Sequence, residues 1–289
     1  MTTRTLHVVH RGDGFHWVGD GFYVTQLLPG SRELQKMADP FLLMDYNPVK
    51  EYPPTTVPRG VGVHPHRGFE TVTLAFEGAV AHNDSTGAGG VIYPGDVQWM
   101  TAASGILHKE YHEPEWASQG GRFHMMQLWV NLPAAHKMDA PGYQPLTAEA
   151  MGKVKLPDGG TVTLIAGELD GVQGPAKTFT PIEMWDVALT ADESAALTVP
   201  DGHNLMVFVL DGEVTTPSGR IGHEELGIFE REGDVLELTA GTLGARVLVL
   251  GGQPIDEPVV FHGPFVMNTV DEIRTAMLDY SRGAFGHLD

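Results

Sequence analysis

The chain contains no cysteine at all. No disulfide, iron–sulfur cluster or thiolate metal site can form, and an intracellular home is expected. No apolar run approaches the roughly 18 residues of a membrane span. The start, Met1-Thr2-Thr3-Arg4-Thr5-Leu6-His7, lacks the apolar core of a signal peptide. A cytoplasmic protein with no membrane association is the expectation. Basic residues are scarce: 18 Lys and Arg stand against 37 Asp and Glu, a net charge of −19, and no basic run occurs. Direct nucleic-acid binding, which depends on cations neutralising phosphates, is not expected.

What is abundant points to a β protein. The 36 glycines and 20 prolines in 289 residues suit many short strands joined by turns. A length of 289 leaves room for one large or two moderate domains. Histidine is also frequent, at 14.

The histidines matter most in Gly62-Val63-His64-Pro65-His66-Arg67-Gly68-Phe69-Glu70. On a strand, side chains two apart share a face, so His64 and His66 aim at one spot. The following Thr71-Val72-Thr73-Leu74-Ala75-Phe76 is β-branched and aromatic, which favours a strand. A second same-face pair, His108 and Glu110, lies in Gly105-Ile106-Leu107-His108-Lys109-Glu110. Three imidazoles and a carboxylate from two strands across a barrel predict a metal site. A helical zinc-protease arrangement of His108 and His112 is not expected, because glutamate would have to follow the first histidine and Lys109 does. Imidazole and carboxylate without thiolate suit Fe, Mn, Ni, Cu or Zn.

Elsewhere the pattern predicts a short helix from Ser31 to Met37, stopped at Asp39-Pro40, and a hairpin turn from Asn83 to Gly90. The GxG of Gly87 and Gly89 opens no helix, so a nucleotide loop is not expected. Phe123 to Leu132 reads as a strand with Gln127, Trp129 and Asn131 on one face. The terminal helix is capped at Asn268 or Thr269, carries an apolar stripe of Ile273, Met277 and Tyr280, and stops at Gly283.

An internal repeat organises the rest. Phe76-Glu77-Gly78-Ala79-Val80 matches Leu210-Asp211-Gly212-Glu213-Val214, and Gly95-Asp96-Val97 through Ala102 matches Gly233-Asp234-Val235 through Ala240. Two similar β-barrels in tandem are expected: a metal-binding domain at 1–132, a linker at 133–160 and a second domain at 161–289 ending in the helix. The repeat places Thr198, Pro200 and Asn204 opposite His64, His66 and Glu70, and Arg246 and Leu248 opposite His108 and Glu110. The second domain is therefore expected to lack metal ligands, with one ion per chain. Its histidines His203 and His223 belong to no i,i+2 ligand pair.

Tandem barrels with HxHxxxE, a Gly-Asp turn and Gly-x-x-His resemble a bicupin. His64-Pro65-His66-Arg67-Gly68-Phe69-Glu70-Thr71-Val72-Thr73, Pro94 through Ala102 and Gln127-Leu128-Trp129-Val130-Asn131-Leu132 resemble the pirin family more specifically. Glu257-Pro258-Val259-Val260, Gly263 through Asn268 and the final helix extend the resemblance. It implies an all-β fold of two cupin (jelly-roll) barrels with a C-terminal helix. It also implies an iron(II) site formed by His64, His66, His108 and Glu110, with Glu70 as the glutamate of the general cupin pattern. The chain departs from that pattern at Ala103-Ser104-Gly105, where Pro-x-Gly is expected.

The resemblance implies two activities. One is similar to quercetin 2,3-dioxygenase, opening a flavonol ring with O₂, with Glu110 or a metal-bound water taking the substrate's hydroxyl proton. The other is an iron-sensitive regulator that binds a transcription factor or a metabolic enzyme. Phe41, Phe69, Phe76, Met125 and Trp129 are candidates for the wall of an aromatic pocket and equally for barrel core. A metal that merely staples the barrel fits poorly with four ligands, which leave open positions.

Overall fold

The computed structural model describes residues 1–28 and 30–289. In chain order the first half carries β1 (Leu6–His10), β2 (Phe15–Val18), β3 (Phe22–Leu28), α1 (Arg32–Ala38), β4 (Phe41–Tyr52), β5 (Gly60–His66) and β6 (Phe69–Glu77). β7 (Val80–Asp84), β8 (Gly89–Ile92), β9 (Val97–Thr101), β10 (Ile106–His112), α2 (Pro114–Gln119), β11 (Gly121–Asn131) and β12 (Gly142–Leu146) follow. The second half carries β13 (Gly152–Lys155), β14 (Thr161–Ala166), β15 (Glu168–Leu169), β16 (Val172–Gln173), β17 (Ile182–Leu189), β18 (Ser194–Thr198) and β19 (Asn204–Thr216). It ends with β20 (Gly219–Ile221), β21 (Leu226–Phe229), β22 (Val235–Gly252), β23 (Val260–His262), β24 (Phe265–Met267) and α3 (Val270–Ser281).

One compact unit contains the HxH segment and spans Asp13–Leu28, Phe41–Ala148 and Asp256–Asp289. It carries two large antiparallel sheets, one in the order β12-β9-β6-β11-β4-β3-β2 and one in the order β5-β10-β7-β8, and β23 and β24 pair as a small third sheet. β6 is the axis of the larger sheet. Its sequence, FETVTLAFE, is buried on both faces through its first eight residues, and β-branched and aromatic side chains fill such a doubly covered strand well.

The turn into β6 is tight. Gly68 sits at φ +89°, and a Cβ there would meet the Val266 carbonyl oxygen at 1.9 Å. Only glycine adopts this backbone at so close an approach. The buried Lys137 ammonium braces the same turn, donating to the carbonyl of Gly68 at 2.6 Å, Asn131 Oδ1 at 2.7 Å and the carbonyl of Val266 at 3.1 Å.

The other unit contains Met1–Gly12 and Glu149–Ile255 together with α1. Its main sheet runs β1-β21-β19-β22-β17-β14-β13, with β18 added to β22 and β20 to β19, and β15 and β16 pair as a separate two-stranded sheet. The interior is one apolar cluster that includes Trp185, Val187, Val207, Phe229, Leu236, Val247 and Val249. The repeat survives in the backbone. Gly78 and Gly212 share φ of +85° and +73°, and Gly95 and Gly233 share +91° and +112°.

These units are not the contiguous segments that sequence order suggests. The N-terminal residues pack with the second barrel: β1 pairs with β21, and the Arg4 guanidinium donates to the carbonyls of His203, Glu230 and Pro200. Asp256–Asp289, α3 included, packs with the first barrel. The stretch 133–160 is not merely a linker, since β12 pairs with β9 along its whole length and Lys137 is buried.

α1 forms with Ser31 as N-cap, its side chain accepting from the Leu34 N–H. α3 is capped by Thr269 in a reciprocal capping box with Glu272. Its packed face is narrower than the apolar stripe suggests. Ile273 and Ala276 are buried against Phe265, Met267 and Phe285, while Met277 and Tyr280 are 44% and 45% exposed. The predicted turn from Asn83 begins two residues later, because β7 continues to Asp84. Among the described residues, no helix is long and apolar enough to cross a membrane.

Candidate metal centre

β10 lies between β5 and β7 and serves as the spine of the site. Its burial alternates, so Ile106, His108, Glu110 and His112 all face inward. On one side His64 of β5 is the Cα partner of His108, and His66 is the partner of Ile106. The register then slips: Glu110 pairs with Val61, so β5 carries one more residue than β10 between these two pairs. A bulge of this kind re-aims side chains next to a site. On the other side Asp84 and His82 of β7 are the partners of His108 and Glu110.

The three imidazoles converge. Ring centroids lie 4.8 Å apart for His64 and His66, 4.7 Å for His66 and His108, and 4.2 Å for His64 and His108. One candidate ligand atom from each falls within 4.8 Å of the others. The nitrogens are already sorted. His64 Nδ1 contacts the Gly62 carbonyl at 2.8 Å, His66 Nδ1 the Pro264 carbonyl at 3.4 Å, and His108 Nδ1 the Nδ1 of His82 at 3.4 Å. The Nε2 atoms of His66 and His108 are buried and have no hydrogen-bond partner. A buried, unpaired polar atom is costly, and two aimed at one spot are what an imidazole-bound cation would satisfy.

Electrostatics favours the same role. Burial, and then the neighbouring His64, holds His66 well below the ordinary imidazole range. Burial, followed by His66, His64 and His82, does the same for His108. Both rings are therefore neutral at pH 7, as metal ligation requires.

Glu110 is placed differently. Its Oε1 accepts from Thr73 Oγ1 at 3.2 Å and from Gln98 Nε2. Its carboxylate groups within 4.8 Å with His82 and His108, a second candidate cluster that shares His108 with the first. Glu70 lies on the opposite face of β6 from Thr73, three residues away. It accepts from Thr101 Oγ1 at 2.6 Å, and burial pushes its carboxyl up to about 7. It belongs to neither histidine cluster.

A cavity of about 260 Å³ opens onto His64, His66 and Glu110. Its apolar wall is Val18, Phe22, Val24, Val61, Met125, Trp129 and Pro264. Of the five wall candidates read from sequence, Met125 and Trp129 line it. Phe41, Phe69 and Phe76 are buried without lining it, and Phe69 packs on two residues that do, with ring centroids 5.0 Å from His66 and 4.2 Å from Trp129. Asp45 and Gln127, Cα partners on β4 and β11, also line it. Asp45 Oδ1 is buried without a partner, and burial pushes this carboxyl up to about 6.

Sequence reading passed over His82, Asp84 and Asp45. His82 and Asp84 carried a usable signal, an i,i+2 pair of ligand-type residues flanking Asn83, hidden by the polar and glycine-rich residues that follow. Asp45 sat in an apolar run with no signal. His112 is on a strand, its Nε2 contacting the Gly21 carbonyl at 3.0 Å among Phe22, Tyr52, Trp116 and Phe123. In the second barrel Arg246 pairs with Asp186 at 2.6 Å, Leu248 is fully buried and Pro200 accepts from Arg4. His203 contacts Glu183 at 2.9 Å and His223 is exposed.

Comparison with known proteins agrees with this architecture. The pirin family model matches residues 21–130, and that of the pirin C-terminal cupin domain matches residues 184–286. A Pseudomonas aeruginosa protein named provisionally as a quercetin 2,3-dioxygenase is 48% identical over 271 residues, covering 93% of this chain and 94% of the relative. A pirin-like protein of Caulobacter vibrioides is 42% identical over 277 residues, covering 92% and 94%. The crystal structure of a quercetin 2,3-dioxygenase from Acinetobacter baumannii superposes with a TM-score of 0.95 at 45% identity, covering 99% of this chain and all of the other.

Proposed function

The chain belongs to the pirin family, and on that footing we propose that its first barrel holds one divalent transition metal ion, iron(II) foremost, on His64, His66, His108 and Glu110. We read the protein as a quercetin 2,3-dioxygenase-like oxidoreductase that opens a flavonol ring with O₂. The observation that carries this reading is the pair of unpartnered, buried Nε2 atoms of His66 and His108, grouped with His64, where His64 and His66 line an apolar cavity.

When bound, the metal supplies Lewis acidity and open positions for a substrate oxygen and O₂. The chain's own residues do the rest. Phe22, Met125 and Trp129 supply apolar surface for an aromatic ring. The volume, about 260 Å³, lies just below the roughly 300–1,000 Å³ usual for small-molecule sites, so part of a flavonol would rest at the mouth. Thr73 and Gln98 hold Glu110 Oε1, which keeps the carboxylate facing the cavity, where it accepts the substrate's hydroxyl proton. The A. baumannii protein named a quercetin 2,3-dioxygenase, 45% identical over nearly the whole chain, supports this class of reaction.

A second reading, metal-dependent binding of a protein partner, draws on the β2–β3 hairpin. One side of it gives Val18, Phe22 and Val24 to the cavity wall. The other carries Phe15 and Trp17, 46% and 48% exposed, packed around Tyr23 with Lys50 over its ring. Anaerobic iron loading followed by oxygen uptake with quercetin separates the two. Turnover supports the enzyme, and a fully metallated protein inert toward several flavonols favours the partner reading.

A further inference from the structure

His82 and Asp84 are both buried on the inner face of β7. Asp84 Oδ1 accepts from the Thr86 N–H at 2.9 Å, the Thr86 hydroxyl at 2.6 Å and the Ala88 N–H at 3.3 Å, which fixes the carboxylate in its turn. Its other oxygen, Oδ2, lies 3.2 Å from His82 Nε2. His82 is stacked on Tyr143, with centroids 5.0 Å apart and planes 13° apart. Its remaining nitrogen, Nδ1, lies 3.4 Å from His108 Nδ1.

With His82 in its neutral form, the donors and acceptors along this chain have one consistent arrangement. A carboxylate only accepts, so His82 Nε2 carries the proton. A neutral imidazole has a single N–H, so His82 Nδ1 accepts, and His108 Nδ1 must donate to it. That leaves the lone pair of His108 Nε2, the unpartnered buried atom, directed at His64 and His66. Both nitrogens of His82 are engaged, so it has none to offer as a ligand.

We propose that Asp84 and His82 are positioning residues that lock His108 in the Nδ1–H tautomer and so present its Nε2 to the metal. The proposal rests on the metal-site reading above, but the tautomer itself belongs to the metal-free protein and can be read there. Groups that hold a ligand imidazole typically change metal affinity by about 10–100-fold.

Two measurements test it. Long-range ¹H–¹⁵N spectra of metal-free protein, with His108 identified by its loss in His108→Ala, should show the proton on Nδ1. Titration with Co(II), followed through its visible absorption, then reads affinity and stoichiometry. In Asp84→Asn the amide keeps an acceptor for the turn and can turn a donor toward His82. The relay then inverts, and the proton moves onto His108 Nε2. Affinity should fall about 10–100-fold, with one Co(II) per chain at saturation. His82→Phe keeps the packing on Tyr143 but frees His108 to choose its tautomer, so its loss should be smaller than that of Asp84→Asn.

The proposal is overturned if wild-type His108 carries its proton on Nε2, or if Asp84→Asn binds Co(II) within twofold of wild type. It is also overturned if His82→Phe abolishes the site as His108→Ala does, since His82 would then be a ligand. A wild-type protein with the Nδ1–H tautomer but no Co(II) uptake would instead sink the metal-site reading.

Discussion

His64 and His108 are direct partners across the β5–β10 ladder, forty-four positions apart in sequence, with ring centroids 4.2 Å apart. Directly opposite side chains are the closest contacts a sheet offers. Two imidazoles held this way are preorganised for a cation, and His66 completes the face.

Removing either partner should therefore empty the site. His64→Ala and His108→Ala are expected to lose most of the metal measured by elemental analysis after metal-replete expression. Wild type should carry one ion per chain, and a double change of His203 and His223 to Ala should leave that content unaltered. Two ions per chain would mean that the second barrel holds ligands the repeat alignment does not show.

Glu110→Gln should keep the fold, because the amide oxygen can still accept from Thr73 and Gln98. It removes the base and the anionic ligand, so quercetin-dependent oxygen uptake should fall by roughly 10²–10⁴-fold. A variant within threefold of wild type at equal metal content would rule out proton transfer through Glu110.

Asp45 gives a pH signature in metal-free protein. Burial raises its carboxyl from 3.8 to about 6, so the native state binds the proton more tightly than the unfolded chain. Its ionisation thus costs nothing below about pH 4, and a stability penalty grows as pH rises to about 6. By the usual conversion the penalty at pH 7 is about 3 kcal/mol. Asp45→Asn should be more stable than wild type by up to that amount at pH 7, with the difference vanishing near pH 4. Urea titrations at several pH values test this, and a difference independent of pH would contradict it.

Gly68→Ala should destabilise by more than about 2 kcal/mol, since it combines a φ of +89° with a Cβ 1.9 Å from a carbonyl oxygen. The turn adjoins His66, so metal affinity should fall along with the melting temperature. An unchanged melting temperature would show that the β5–β6 turn is looser than its contacts indicate.

The sequence by itself determined what depends on local periodicity. Ligand-type residues two apart, His64 with His66 and His108 with Glu110, fall on one face of any strand. The glycines of the repeat, Gly78 with Gly212 and Gly95 with Gly233, mark turns that need positive φ. The cap at Ser31 read directly from residue chemistry, and that of the terminal helix to within Asn268 or Thr269. The lack of donor side chains at Pro200 and Leu248 was equally plain.

Only the tertiary structure decided which strands are neighbours. β7 joins β10, so His82 and Asp84 stand behind His108, and Glu110 turns toward Thr73 and Gln98. It also decided which barrel each terminus joins: Arg4 finds carbonyls of the second barrel, whereas Asp279 pairs with Arg67 beside His66 at 2.9 Å. Strand pairing over tens to hundreds of residues is fixed by register, bulges and burial of whole faces, none of which a local window contains.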